Sequence, residues 1–279
     1  MSIVEAGFWD QVVADRHRVP GDHSLTDLTA ELTTMLGDPD PHKRDAIAYP
    51  TLATWVSDGV YDDLLEGLGD GMAAGLTVGL GERDTDTVFR RSFSALLLAE
   101  CVSRVTEAQR LGADALLRWG DRAASWLVRE RDLRGYVPGK GWAHAVAHGA
   151  DLVGVLASSH LLGRLELTVL LDVVGDRLLV ETEQRLIDGE PDRLALATMR
   201  LLRRDLVAVD VVEPWLARVT TAAGDVTGAG QSAMAHNAQS YLRALYLQLS
   251  LAPNPPASRA DLLLALIPQL KRANPHYLG

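Results

Sequence analysis

The chain has 279 residues, of which 47% are hydrophobic and 23% are charged, and its formal net charge is −10 at pH 7. This composition is typical of a globular protein with ample apolar surface for a core. The negative charge counts against nucleic acid as the main partner, because binding a phosphate backbone relies on clustered Lys and Arg.

Signals that would direct the chain to a membrane are missing from the sequence. No stretch reaches the roughly 18 uninterrupted apolar residues that a membrane helix needs. The first residues, MSIVEAGFWDQVV, lack a basic segment followed by an apolar run. The single cysteine, Cys101, excludes an intramolecular disulfide and fits a reducing compartment. We therefore expect a cytoplasmic protein that does not bind a membrane.

The predicted secondary structure is helical along the chain. Apolar residues recur at helical spacing almost everywhere, and alternating strand patterns are nearly absent. Ser24 and Ser258 each precede an apolar run and have an Asp three residues further on, which predicts two helix starts. Tyr49-Pro50 predicts a kink or a helix start. Turns are predicted at residues 37–41, 57–59, 81–86, 188–192 and 253–256.

The spacing of the helices predicts the architecture. Polar residues that open apolar helices recur at intervals of roughly 44 to 54 residues, about the length of two helices and two turns; they are Arg44, Arg90, His144, Arg193 and Asn237. We predict an all-α fold, a curved HEAT-like α-solenoid of about five helix pairs. It would form a single domain over residues 1–279, closed by a helix from Ser258 to Arg272. The alternative is a compact, irregular helical domain.

Three stretches of the chain also resemble a known family: GDPDPHKRDAIAYPTLATWVSDG (37–59), VFRRSFSALLLAE (88–100) and GYVPGKGWAHAVAHGADL (135–152). They are similar to a bacterial family catalogued only as a domain of unknown function, and the resemblance spans nearly the whole chain. It implies a single helical domain in a bacterial protein, without an activity, a substrate or a catalytic residue.

The third stretch carries the one constellation with chemistry in it. His144, His148 and Asp151 are spaced i, i+4 and i+7, which places them within roughly 60° on one helix face. Two imidazoles one turn apart can chelate a divalent metal such as zinc, with the carboxylate as a third ligand or an orienting group. His236, followed by Asn237, is the best candidate for a further ligand.

Three interpretations of these histidines stay open: a metal site, a metal-free ligand or catalytic site, and a structural hydrogen-bond network. The zinc-peptidase pattern requires Glu directly after the first His, and here that residue is Ala145. No catalytic residue is therefore assigned.

The loop before the histidines, residues 134–142, strengthens the prediction of some site. Its glycines would let backbone approach a ligand closely, and Lys140 and Trp142 would place a cation beside a stacking surface. The loop would then be a lid over the start of the helix. The alternative is a tight turn that needs positive φ.

Two further patterns are predicted to lack a function. Gly69 to Ala74 matches the letters of a dinucleotide fingerprint but follows a helix-like run, so we interpret it as coincidence. Arg90 and Arg91 are predicted at an exposed helix edge, and the alternative is that one of these arginines lies in the groove.

The function that we favour is a small-molecule-binding or metal-dependent protein, whose ligand would lie over His144, His148 and Asp151 in a concave groove. Whether it is an enzyme stays open. The alternative is a non-catalytic helical-repeat scaffold that binds a peptide or a partner protein.

Overall fold

The computed structural model describes residue 5 and residues 7–109, 111–223 and 232–278 and is helical nearly throughout. The all-α prediction is confirmed. Strands in the described ranges are limited to β1 (Tyr136–Val137) and β2 (Gly141–Trp142), which form an antiparallel hairpin. The chain divides into two compact units, Met1–His148 and Gly149–Gly279. Across the described residues, no helix is both long and apolar enough to span a bilayer.

The first unit is built around one long helix, α5, which packs against α3, α4 and α6. Its core is apolar and includes four buried tryptophans. The elements of this unit, in chain order, are α1 (Phe8–Ala14), α2 (Leu25–Met35), a π-helix (His42–Ala48), α3 (Tyr49–Ser57), α4 (Leu65–Gly75), α5 (Thr87–Ala108), α6 (Ala113–Arg129), the hairpin and the beginning of α7 (Ala145–Ser158).

The second unit is centred on α11, which packs against α8, α9, α10 and α12. Beside the rest of α7, its elements are α8 (Arg164–Leu179), α9 (Glu190–Leu202), α10 (Val209–Ala223), α11 (Ala233–Leu251), α12 (Arg259–Ala273) and α13 (Pro275–Leu278). The predicted turn at 188–192 is shorter than expected, because α9 already begins at Glu190. Pro191 lies in its first turn, where a proline is tolerated.

The predicted helix starts are largely confirmed. The Ser24 side chain accepts a hydrogen bond from the backbone N–H of Asp27 and caps α2. Pro50 lies at the beginning of α3. Ser258 precedes α12 as predicted, but its side chain makes no capping hydrogen bond.

Gly69 has a packing role rather than a nucleotide-binding one. It lies in the middle of α4, and a Cβ atom there would be 2.1 Å from the ring of Trp119 on α6. Glycine is required at this position because the two helices approach closely.

The prediction that Arg91 lies at an exposed helix edge is wrong. Its side chain is completely buried, with Nε and Nη2 donating to the two carboxylate oxygens of Glu130 at 2.6 and 2.9 Å. Nη1 donates to the backbone carbonyls of Val78 and Gly79. A buried guanidinium is tolerated because its charge is paired and its donors are used.

We predict that Arg91→Leu lowers the free energy of unfolding by about 3 to 5 kcal/mol, because it leaves the Glu130 carboxylate buried without its cation. Urea unfolding monitored by circular dichroism measures the loss. The control is Arg118→Leu, which removes the exposed Arg118–Glu66 pair and is expected to cost less than about 1 kcal/mol. Equal losses in the two variants would contradict the prediction.

Candidate functional site

Four rings of the first unit form a continuous cluster, which we call the ring cluster: Phe93, Trp142, His144 and His148. Trp142 and His144 are stacked, with centroids 4.3 Å apart and planes 22° apart. His148 meets His144 edge-on at 5.9 Å and Phe93 edge-on at 5.2 Å. The structure thus brings together three of the residues that the sequence predicts at the site.

The hairpin and the start of α7 place these rings. Trp142 ends β2, and His144 precedes α7 with a φ of +50°. A left-handed φ is uncommon outside glycine and carries a conformational cost, and such residues cluster at functional sites. The carbonyl of His144 then accepts the hydrogen bond from the N–H of His148 at 2.9 Å, in the first turn of the helix.

The hydrogen bonds of Ser92 determine which nitrogen of His148 carries the proton. The Ser92 hydroxyl donates to the backbone carbonyl of Ala143, which can only accept. Its oxygen is also 2.7 Å from Nδ1 of His148. Since the single hydroxyl proton is used, Nδ1 must be the donor in that contact. In the neutral ring the lone pair therefore lies on Nε2.

Arg44 anchors the hairpin from the side of the π-helix. Its guanidinium is buried, pairs with Asp45 at 3.0 Å and lies 4.1 Å from the centroid of the Phe89 ring. Nη2 also donates to the carbonyl of Lys140 at 2.7 Å. Gly141 lies beside it with a φ of +80°, a backbone conformation that other residues rarely adopt, and a Cβ atom there would be 3.1 Å from Nη2. π-helical turns are frequent at functional sites.

The carboxyl group of Asp45 is affected by the same surroundings. Burial raises the pKa of Asp45 above its ordinary value, against the opposing effect of the Arg44 guanidinium.

The ring cluster reaches the surface of the molecule at the hairpin. Trp142 is 42% exposed, whereas His148 is 6% exposed. Tyr136, also exposed, meets Trp142 edge-on at 5.0 Å. The ammonium group of Lys140, predicted to bind a ligand, lies 2.6 and 2.8 Å from the carboxylate oxygens of Asp86. The accessible part of the site therefore combines aromatic rings with this partly exposed ion pair.

Asp151, the predicted third metal ligand, belongs to the second unit and is held there by Arg193. The guanidinium binds both carboxylate oxygens, at 2.5 and 3.1 Å. Burial raises the pKa of Asp151 above its ordinary value, and the attraction of Arg193 opposes that shift.

His236 and Asn237 also lie in the second unit and have different surroundings. The Asn237 side chain is buried, accepts from the N–H of Leu186 at 2.8 Å and donates to the carbonyl of Gln184 at 3.1 Å. Both contacts tie the segment before α9 to α11. His236 lines a surface pocket of this unit.

A metal site is not apparent in the parts of the chain that the structure describes. Within them, no group of three or more His, Cys, Asp or Glu side chains is arranged to hold a metal ion. The predicted zinc ligands His144, His148 and Asp151 stay a prediction.

Sequence reasoning missed Arg44 and Ser92 as parts of this site. Arg44 lies in the stretch 37–59 and Ser92 in the stretch 88–100, two of the three stretches that carry the family resemblance. A buried arginine and a serine inside helical patterns give no chemical signal of their own. Their presence in those stretches was the only indication in the sequence that they belong to the site.

We predict that imidazole ¹⁵N spectra at neutral pH show His148 protonated at Nδ1 and unprotonated at Nε2. The Ser92→Ala variant, which removes the acceptor of Nδ1, is expected to shift the ring toward a mixture of the two tautomers. His148→Gln assigns the signal by removing it. A ring already protonated at Nε2 in the unaltered protein would contradict the hydrogen-bond pattern.

Comparisons with known proteins agree with the resemblance in the sequence. A family model described as "Protein of unknown function (DUF2785)" matches residues 76–247. The matched range contains the stretches 88–100 and 135–152, and the stretch 37–59 lies outside it. No curated protein and no solved structure matches the chain.

Proposed function

The chain belongs to the DUF2785 family. From the geometry of the ring cluster, we propose that the protein binds a small molecule whose flat ring system stacks on Trp142. The resemblance to a family of unknown function is thereby confirmed. The family name carries no activity, so the proposal depends on the residues of the first unit.

The observation that carries the proposal is the stack of Trp142 on His144, with the indole 42% exposed. A large aromatic side chain in this position offers a flat apolar surface, and its rotation is restricted by the ring behind it. Aromatic pairs of this kind contribute about 0.5 to 1.5 kcal/mol beyond the burial of their area.

His148 lies behind the stack. Its Nδ1 is 2.7 Å from the Ser92 oxygen, and its ring meets His144 edge-on at 5.9 Å. Because the side chain is only 6% exposed, we assign His148 a positioning role behind the Trp142 surface rather than a contact with the ligand.

A second proposal, a divalent metal at the same imidazoles, is favoured by the Ser92 contact. Histidines that bind metals commonly donate their other ring N–H to an oxygen atom. For Asp151 to be the third ligand it would have to leave Arg193, which now binds it at 2.5 Å. Elemental analysis of the purified protein tests this proposal, together with the change in melting temperature on adding zinc. Absence of stoichiometric metal and an unchanged melting temperature would contradict it.

We also propose a HEAT-like stack of helix pairs. What supports it is the packing order within each unit. In the second unit α8 packs on α9 and α10, and α9 and α10 pack on α11 and α12 respectively. Contacts to the next helix and to the one after it are typical of helical repeats. A scaffold that binds a peptide or partner protein stays the alternative function, and the exclusion of nucleic acid stays a prediction.

We predict that quinoline, a flat probe, binds at least about tenfold more weakly to Trp142→Ala than to the unaltered protein, because the stacking surface is lost. Saturation-transfer NMR titrations measure the affinity. Tyr277→Ala, which removes an exposed aromatic ring in the second unit, is the matched control and should leave binding unchanged. 2-Decalone, a saturated bicycle of similar size that is also uncharged at neutral pH, should not bind.

Equal binding of quinoline and 2-decalone, or no effect of Trp142→Ala, would contradict the proposal.

A further inference from the structure

A pocket of about 400 Å³ opens in the second unit between the first turn of α9 and one face of α11; we call it the α9–α11 pocket. Its volume is within the range of about 300 to 1,000 Å³ that small-molecule sites occupy. It is independent of the ring cluster, all of whose residues belong to the first unit.

One wall of the α9–α11 pocket is basic and polar. His236, Ser240 and Arg243 are spaced i, i+4 and i+7 on α11 and line the pocket together. The hydrogen bonds described for Arg243 go to neutral amide oxygens, those of Gln239 and Asn274. Both bonds come from Nη2, so Nε and Nη1 of the guanidinium have no hydrogen-bond acceptor among the described residues.

His236 adds an imidazole to this wall, and its Nε2 is 3.5 Å from the Ser240 hydroxyl. Burial, with the nearby Arg185 and Arg243, holds the pKa of His236 below its ordinary value. Among the residues that line the pocket, Arg243 is the one that carries a guanidinium for an anion.

The opposite wall carries a negative charge. Asp192 lies in the first turn of α9, is exposed and lines the same pocket. Its backbone carbonyl accepts a hydrogen bond from Gln248, which attaches α9 to α11 and leaves the carboxylate for other contacts. In the described part of the chain Asp192 and Arg243 form no ion pair with each other, so opposite charges face one pocket without neutralising each other.

The lining of the pocket also includes exposed apolar side chains. Ile187 is 71% exposed and Leu247 is 52% exposed, and both line the pocket. Two large apolar side chains thus lie exposed beside one cation and one anion that are not paired with each other, where a ligand could cover them.

We propose that the α9–α11 pocket binds a free α-amino acid with an apolar side chain of the size of leucine. The carboxylate would be bound by Arg243 and Ser240, and the ammonium group by Asp192. The side chain would lie against Ile187 and Leu247. A ligand with only one of the two charges would leave the opposite wall unmatched, and charge-assisted hydrogen bonds are the stronger ones.

Three probes of equal skeleton test the proposal by isothermal titration calorimetry: leucine, 4-methylpentanoate, which lacks the ammonium group, and 3-methylbutylamine, which lacks the carboxylate. We expect leucine to bind at least about tenfold more tightly than either of the others. Equal affinity for leucine and 4-methylpentanoate would overturn the proposal, and so would the absence of leucine binding at millimolar concentration.

Two variants assign the charges. Asp192→Asn should reduce the affinity for leucine to that for 4-methylpentanoate, whereas Asp210→Asn, at the start of α10, is the matched control and should leave it unchanged. Ser240→Ala and Arg243→Gln should each weaken the binding of leucine and of 4-methylpentanoate, because both ligands carry the carboxylate. Arg243 also contacts Asn274, so its substitution could affect folding. The affinity of the Arg243→Gln variant is therefore compared only after circular dichroism shows the same folded fraction as in the unaltered protein. If Asp192→Asn leaves the preference for leucine intact, the proposal is wrong.

Discussion

The ion pair between Arg91 and Glu130 is the interaction on which the first unit depends. Arg91 on α5 binds the carbonyls at 78 and 79 as well as the carboxylate of Glu130, and that carboxylate accepts the N–H groups of Arg131 and Asp132. One buried pair thus connects the segment after α4, the beginning of α5 and the segment that leads into the hairpin. Because Ser92 follows Arg91 directly, the same pair positions the hydroxyl that orients His148.

The contacts of Arg44 and of the charged residues around it bear on whether the hairpin is a platform or a lid. Arg44 binds the Lys140 carbonyl from one side, and the Lys140 ammonium group pairs with Asp86. Arg134 pairs with Asp132 at the base of the hairpin. A turn with its backbone and charges held in this way presents Trp142 in one orientation. This arrangement favours the prediction of a tight turn with positive φ over the prediction of a lid, and such preorganisation lowers the entropic cost of binding.

The two proposed sites use different chemistry and lie in different units. The ring cluster offers flat rings and one oriented nitrogen, with its charged neighbours already paired. The α9–α11 pocket offers a cation and an anion that face the same space without pairing. An unpaired cation and anion at one pocket are stronger evidence for a charged ligand than an ion pair, because the two groups of an ion pair already neutralise each other.

The sequence by itself determined the helical class and several helix boundaries, because periodicity and capping are local properties that neighbouring residues decide. The tertiary structure decided which partner each polar group finds. The spacing of His148 and Asp151 describes one helix face, but the Arg193 that binds Asp151 is far away in the sequence. Likewise, Arg91 is indistinguishable from a solvated arginine until Glu130 is brought against it. Ion pairs and stacked rings between distant residues are set by how helices pack, and one sequence without that packing does not specify them.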